Sequence, residues 1–348
     1  MAEATRDTQT METADRIAGT LLGTALGDAL GLPTEGLSRQ TIARRFGRID
    51  RFHLLGRTGF VSVDSEQSAL VAQSIARHPT DPKRAADAFR RSLVGWLLRL
   101  PWGVGLATVR ACLRAIVGLR PSGVRSAGNG AAMRTAIIGT AFAGQPDRIA
   151  SLARAIAEVT HTDPRAVEGA HFVAAMAAAC SQNPTEAERP ALFDEAIGVV
   201  HEQSLLGALK RAYTLAEQGA SLESAAEELG TTGFILHTAP FATFCFLRFR
   251  ASPLDTLAQT ISAGGDTDSN AAIVGAWLGA LYGESGLPAD LLARIHDGPF
   301  GPSHLRALAR SLTALQPVPS YSVLAALLRN AVLTPVILAH GFRRLWPW

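Results

Sequence analysis

Residues 19–35 read Gly19-Thr20-Leu21-Leu22-Gly23-Thr24-Ala25-Leu26-Gly27-Asp28-Ala29-Leu30-Gly31-Leu32-Pro33-Thr34-Glu35, with glycine at every fourth position from 19 to 31. In an α-helix, residues four apart share one face. Each glycine in a helix interior costs about 1 kcal/mol relative to alanine. Four on one face therefore need a compensating contact, and the close approach of a second helix supplies one. The helical pattern begins near Thr13 and ends at Pro33, which cannot continue it. Asp28, inside an otherwise apolar turn, reads as a structural carboxylate bonded to backbone N–H groups rather than as a metal ligand. Glu35, in the loop just past the helix end, reads as a site residue.

Helical spacing continues along the chain. Leu93, Trp96, Leu97 and Leu100 follow an i, i+3, i+4, i+7 pattern that Pro101 stops. Ala153, Ile156 and Ala157 repeat it, as do Leu205, Leu206, Leu209 and Ala212. Alternating strand patterns are nearly absent, Phe52-His53-Leu54-Leu55 being the best short candidate. The expectation is an all-α fold, a single compact domain of many helices over 13–320. A disordered polar tail is expected at 1–12, and a helical extension at 321–348 packed on the domain or on a partner.

The chain has 348 residues, 47% hydrophobic and 18% charged, enough for a large core, and no Pro/Gly/Ser-rich linker divides it. Its net charge of +3, from 33 basic and 30 acidic residues, is too small to predict nucleic-acid binding. Arginines such as Arg84, Arg90, Arg91 and Arg99 read as solvated helix faces. Cys112, Cys180 and Cys245 are widely spaced in apolar contexts, which predicts buried thiols in a reducing, cytoplasmic setting rather than disulfides or zinc. The first sixteen residues lack the apolar core of a signal peptide, and no apolar run reaches the roughly 18–20 residues that span a bilayer. The C-terminal Gly341-Phe342-Arg343-Arg344-Leu345-Trp346-Pro347-Trp348 suits packing on the domain or a second subunit better than an interfacial membrane anchor. Oligomeric state is open.

Four further segments carry polar chemistry. In Gly264-Gly265-Asp266-Thr267-Asp268-Ser269-Asn270, two carboxylates two residues apart with a hydroxyl beside them make an all-oxygen ligand set for a hard cation, and also fit a capped helix start. Ser62-Val63-Asp64-Ser65-Glu66-Gln67 precedes a helix that Asp64 or Ser65 can cap. Ser126-Ala127-Gly128-Asn129-Gly130 exposes backbone N–H groups that suit a phosphate or diphosphate, and equally fits an ordinary glycine-rich turn. Thr160-His161-Thr162-Asp163 places a histidine at a helix end.

In their order along the chain the five segments resemble the ADP-ribosylhydrolase family, the group that includes dinitrogenase-reductase-activating glycohydrolase, over about residues 13–283. The resemblance implies an all-α fold and Mg²⁺-dependent cleavage of a glycosidic bond at the anomeric carbon of ADP-ribose, with ADP-ribose or an ADP-ribosylated substrate as partner. It implies Ser62, Asp64, Asp266, Asp268 and Ser269 as metal ligands, and Glu35, with Asp64 as second choice, as acid/base or water-positioning group. It implies Gly128, Asn129 and Gly130 around the ADP-ribose, with His161 adding a polar contact. Phe234 and Phe241 are candidates to stack on the adenine.

One position departs from the family's Thr/Ser-Asp-Asp-Thr motif, here Ser62-Val63-Asp64-Ser65. An isopropyl group cannot coordinate Mg²⁺, which takes oxygen ligands at about 2.0–2.1 Å. The expectation is therefore one or two ions, with the second site in doubt unless water or Glu66 fills the gap. Val63 keeps open a binding protein that holds ADP-ribose without turnover. A structural protein using the fold alone is the third alternative.

Overall fold

The computed structural model describes residues 2–182, 189–313 and 316–345, with side chains from 11 to 339 within those ranges. Along the chain run α1 (Ala2–Gly31), α2 (Arg39–Arg45), α3 (Val63–Arg77), α4 (Pro82–Leu97), α5 (Leu106–Ile116), α6 (Ala136–Ala141), α7 (Pro146–Glu158), α8 (Pro164–Gln182) and α9 (Arg189–Ile197). They are followed by α10 (Gln203–Glu217), α11 (Leu222–Leu229), α12 (Ile235–Arg248), α13 (Pro253–Ser262), α14 (Thr267–Tyr282), α15 (Ala289–Leu292), α16 (Pro302–Thr313) and α17 (Val323–Leu345). Short 3₁₀ turns cover Leu32–Thr34 and Asn129–Arg134. The described residues contain isolated β-bridges and no strand. The all-α expectation is met, and the Phe52–Leu55 candidate strand is irregular chain, with one bridge between Leu55 and Thr58.

The helix partner implied by the α1 glycines is α14. A Cβ at Gly19, Gly23, Gly27 or Gly31 would sit under 3.0 Å from the backbone of α14 or of the turn after it, near Gly279, Gly275, Ala271 and Thr267 in turn. Rising numbers on α1 meet falling numbers on α14, so the two helices run antiparallel with their backbones in contact. Gly275 and Gly279 return the same constraint toward Gly23 and Gly19.

Both ends of the contact are fastened. Arg16 Nη1 donates to the carbonyls of Ala280 and Leu281 at 2.9 and 2.6 Å, capping the C-terminal end of α14. At the other end Thr267 Oγ1 donates to Gly31 O, as does Thr34 Oγ1, both at 2.9 Å. Every residue of α14 from Thr267 to Leu281 is buried, as expected of a helix apolar on all sides. Trp277 anchors α8 through Nε1–H to Val173 O at 3.1 Å and stands edge-on to Phe172 and Phe246.

Helix α1 includes the polar residues 2–12 that the sequence alone sets outside the domain, and its buried run starts at Ile17. At the other terminus α17 docks on the core. Asn330 Nδ2 donates to Arg99 O at 2.9 Å, Arg329 pairs with Glu66, and Ala326 and Leu333 are buried. Arg99, expected on a solvated face, is only 4% exposed, its guanidinium lying over Phe300 and Tyr321. The side chains of Gly341–Trp348 lie outside the described residues. All three cysteines are free and buried, as expected. No helix among the described residues is long and apolar enough to cross a membrane.

The α1–α14 contact makes a testable contrast between two helical glycines. Gly275→Ala is expected to destabilise by about 1–3 kcal/mol or more, because its methyl has no room. Gly95→Ala, in α4 with nothing within 4 Å of its Cβ position, is expected to stabilise by about 0.5–1 kcal/mol. Thermal unfolding of the two variants beside the parent checks both signs.

Candidate functional site

The antiparallel α1–α14 pair brings the C-terminal end of α1 to the N-terminal end of α14. Asp28 and Glu35 therefore meet Asp266 and Asp268, nearly 240 residues away in sequence. The glycine turn before α14 is threaded between two segments. Gly264 and Gly265 have φ of +80° and +82°, and a Cβ at either would strike the backbone of Leu37 or Thr231. Gly36 N–H donates to Gly265 O at 2.7 Å, and Asp266 N–H donates to Thr231 O at 2.8 Å. This lacing fixes Asp266 at the N-cap of α14 and Asp268 in its first turn.

Helix α3 delivers the second acidic segment. Its N-cap is Ser62, not Asp64 or Ser65, and the Ser62 side chain makes no capping bond. The acceptor comes from α1 instead. Asp28 Oδ2 takes Ser62 N–H at 2.8 Å, Ser65 N–H at 3.2 Å and the Ser65 hydroxyl at 2.5 Å. The structural role expected of Asp28 is thus observed, but the residue does more. One carboxylate oxygen from each of Asp28, Asp64 and Asp268 lie within 4.8 Å of one another, and so do oxygens of Glu35, Asp266 and Asp268. Asp28 is the site neighbour that sequence reading left off its ligand set, its one signal being a carboxylate in an apolar turn.

These acids are poorly solvated. Asp28 and Asp64 are fully buried and Asp268 is 5% exposed, and among the described residues no ion pair reaches any of them or Asp266. Both oxygens of Asp64, together with Asp28 Oδ1 and Ser62 Oγ, lack a hydrogen-bond partner. Ser269 lies close enough to Asp64 to draw its pKa down, and Ser62 does the same for Asp28, but neither hydroxyl makes a bond of normal geometry. Burial, and then the charges of Asp28 and Asp266, push Asp64 well above the ordinary carboxylate range. Burial, and then Glu35, Asp266 and Asp64, do the same to Asp268. Unpaired buried carboxylates cost several kcal/mol each unless a cation or proton compensates. The N-termini of α3 and α14 both face the cluster and favour its negative charge. An all-oxygen set of this kind fits a hard divalent cation.

A cavity of about 620 Å³ opens above the acids. Glu35, Val63, Asp64, Asp266, Asp268 and Ser269 line one side of it, and Ser126, Gly128, Asn129, Gly130 and His161 another. Sequence reading thus named residues that converge on one cavity. Their manner of action differs in places. Asn129 N–H donates to Gly233 O at 2.8 Å, and Gly128 N–H to Ser126 Oγ at 3.3 Å, so these two amides are already engaged. The Asn129 side chain instead holds Asp266, Nδ2 to Oδ2 at 2.7 Å. Phe241 is fully buried in the core and unavailable for stacking, whereas Phe234 is half-buried beside His237. Glu66 does not fill the gap at Val63, because its carboxylate receives Trp96 Nε1–H at 2.5 Å and pairs with Arg329.

His161 is wired from behind. Arg134, fully buried, donates from Nη2 to Thr160 Oγ1 at 2.6 Å, and Thr160 Oγ1 lies 2.8 Å from His161 Nδ1. Thr160 Oγ1 can accept a second hydrogen, from Nδ1–H, or donate its own to Nδ1, so both ring tautomers satisfy this pair. Nε2 faces the Gly128–Gly130 wall and is the ring nitrogen open to a polar atom in the cavity. Burial, and then the Arg134 charge, lower the His161 pKa to about 3. The ring is therefore expected to remain neutral between about pH 5 and 8. Because the unfolded chain binds this proton near pH 6.5 and the folded chain does not, His161 is expected to cost stability as pH falls below that value. Nitrogen-detected NMR of the imidazole checks this, and a His161 midpoint near 6 would contradict it.

Comparison with known proteins places this geometry. The sequence profile of the ADP-ribosylglycohydrolase family matches residues 9–321. ADP-ribosylhydrolase ARH3 of Bos taurus is 31% identical over 196 residues, covering 48% of this chain and 53% of that protein. The ADP-ribosyl-[dinitrogen reductase] glycohydrolase of Rhodospirillum rubrum is 28% identical over 290 residues, covering 81% and 90%. A solved structure described as an ADP-ribosylglycohydrolase-related protein complex superposes with a TM-score of 0.68 at 28% identity, covering 87% of this chain and 98% of that one.

Proposed function

The chain belongs to the ADP-ribosylglycohydrolase family, and from that premise we propose that it is a Mg²⁺-dependent ADP-ribosylhydrolase, cleaving the glycosidic bond at the anomeric carbon of an ADP-ribosylated substrate. The observation that carries this reading is the pair of overlapping carboxylate groups, Asp28–Asp64–Asp268 and Glu35–Asp266–Asp268, at one end of the cavity. Ser62, Asp64, Asp266, Asp268 and Ser269 are the residues we assign to the ion or ions. What the metal supplies when bound is Lewis-acid polarisation and a fixed position for a sugar hydroxyl or water.

The remaining work falls to side chains. Bond cleavage at the ribose passes through an oxocarbenium-like state that a nearby carboxylate stabilises and a positioned water completes. Glu35 lines the cavity, is only half-buried and stands within reach of Asp266 and Asp268. It is the group we assign to orient that water and accept its proton, which passes to the leaving group as the bond at the anomeric carbon breaks and water's oxygen takes its place. Asp64, wholly buried, fits ion holding better than proton exchange with solvent. Asn129 holds one oxygen of Asp266, and His161 Nε2 faces the cavity to meet a polar atom of the ADP-ribose. We place this activity in the cytoplasm, in keeping with three unpaired thiols.

Asp268, common to both carboxylate groups, gives the decisive variant. Asp268→Asn is expected to lower ADP-ribose release by at least about a hundredfold, read as kcat/KM on an ADP-ribosylated protein. Unchanged turnover would defeat the metal assignment. Val63, in the cavity wall, favours a second reading, a protein that holds ADP-ribose without hydrolysing it. Calorimetric ADP-ribose binding with no release, and turnover gained in Val63→Asp, would select that reading.

A further inference from the structure

Resting on the metal-centre reading above, we infer that Asp28 is itself a ligand of the buried cation, so that this chain holds the ion between Asp28, Asp64 and Asp268 while Val63 contributes no oxygen. Three observations carry this. The first is convergence. One oxygen from each of the three acids lies within 4.8 Å of the others. Two oxygens on a common Mg²⁺ at about 2.1 Å stand roughly 3 Å apart when adjacent and roughly 4.2 Å apart when opposite. A single ion therefore fits among them with small adjustments.

The second is the division of labour within Asp28. All three of its donors, two backbone amides and the Ser65 hydroxyl, converge on Oδ2. Oδ1 is left buried with no partner, as are both oxygens of Asp64 and the hydroxyl of Ser62. Buried polar atoms in native proteins are nearly always satisfied, and these unpartnered oxygens belong to Asp28, Asp64 and the neighbouring Ser62. A cation between the carboxylates satisfies an oxygen of each acid at once, whereas a single proton satisfies fewer of them.

The third is elimination. Val63 lines the cavity between Ser62 and Asp64 with an apolar side chain. Glu66, one turn further along α3, is held by Trp96 and Arg329. Arg329 itself bonds to Glu66, Asn330 and Pro299 O, and among the described residues no guanidinium hydrogen-bonds to Asp28 or Asp64. Among the described residues, Asp28 is the further carboxylate that groups with Asp64 and Asp268 within 4.8 Å. The geometry also explains why Asp28 can serve in both roles. Held from one side by the α3 N-terminus, it presents its second oxygen without losing rotamer freedom on metal binding.

The test reads metal affinity directly, by calorimetric titration of the full chain with Mg²⁺ and by electron paramagnetic resonance with Mn²⁺, after thermal unfolding in EDTA has verified each variant's fold. Asp28→Asn is expected to weaken binding by at least about 10–100-fold, and Val63→Asp in the same background to recover most of that loss. Val63→Asp alone asks the same question with Asp28 intact. If Asp28 already supplies the ligand, affinity should stay within about tenfold of the parent. A gain of a hundredfold or more would mean that the position stands unfilled, and would overturn the inference. Parent-like binding by Asp28→Asn, with binding lost in Asp268→Asn, would overturn the inference and leave the metal centre standing. No metal binding by the parent chain would overturn both.

Discussion

The backbone contact between α1 and α14 is the constraint from which the rest of the molecule follows. Four glycines on one helix and two on the other remove every side chain that would hold the axes apart. Each glycine weakens its own helix, so the pair is stable only because neither helix stands alone. α14 is enclosed from Thr267 to Leu281, and Arg16 and Thr34 close its two ends. With no side-chain layer between them, the register of the pair is set by backbone against backbone. That register decides which carboxylates meet. A slip by one turn, about 5.4 Å, would carry Asp28 and Glu35 away from Asp268.

Two helix N-termini then do most of the electrostatic work. α3 and α14 both begin at the acid cluster, and each carries an N-cap residue whose own side chain makes no cap bond. The capping duty is moved elsewhere. Asp28 performs it for α3 from a different helix, which leaves the Ser62 hydroxyl free, and Asp266 turns outward to Asn129. Groups that would ordinarily be consumed in stabilising a helix start are thereby available to a ligand. The cost is a set of buried oxygens that the protein alone does not satisfy.

Behind the site lies a layer of buried arginines. Arg134 orders Thr160 and through it the position of the His161 ring, and Arg329 takes Glu66 out of contention as a ligand. Arg329 comes from α17, so the C-terminal helix reaches the back of the acid cluster although it lies outside the core contact of α1 and α14. Arg134 also donates to Gln67 in α3 at 2.7 Å, so the acid side and the histidine side of the cavity share one support.

What the sequence by itself determined was local and periodic. Helical spacing without alternation gave the all-α class, the glycine ladder at 19–31 demanded a helix partner, and the order of polar segments gave the family. These are legible because each depends on residues a few positions apart. Tertiary structure decided the rest. The identity of the partner helix, the capping of α3 by Asp28, the engagement of the Asn129 amide by Gly233 and the capture of Glu66 by Arg329 all join residues 34 to 265 apart. Side-chain chemistry states what a group can bind, but only the packing of the backbone fixes which of its atoms remain unpartnered, and that is why Asp28 read as structural until its second oxygen could be placed.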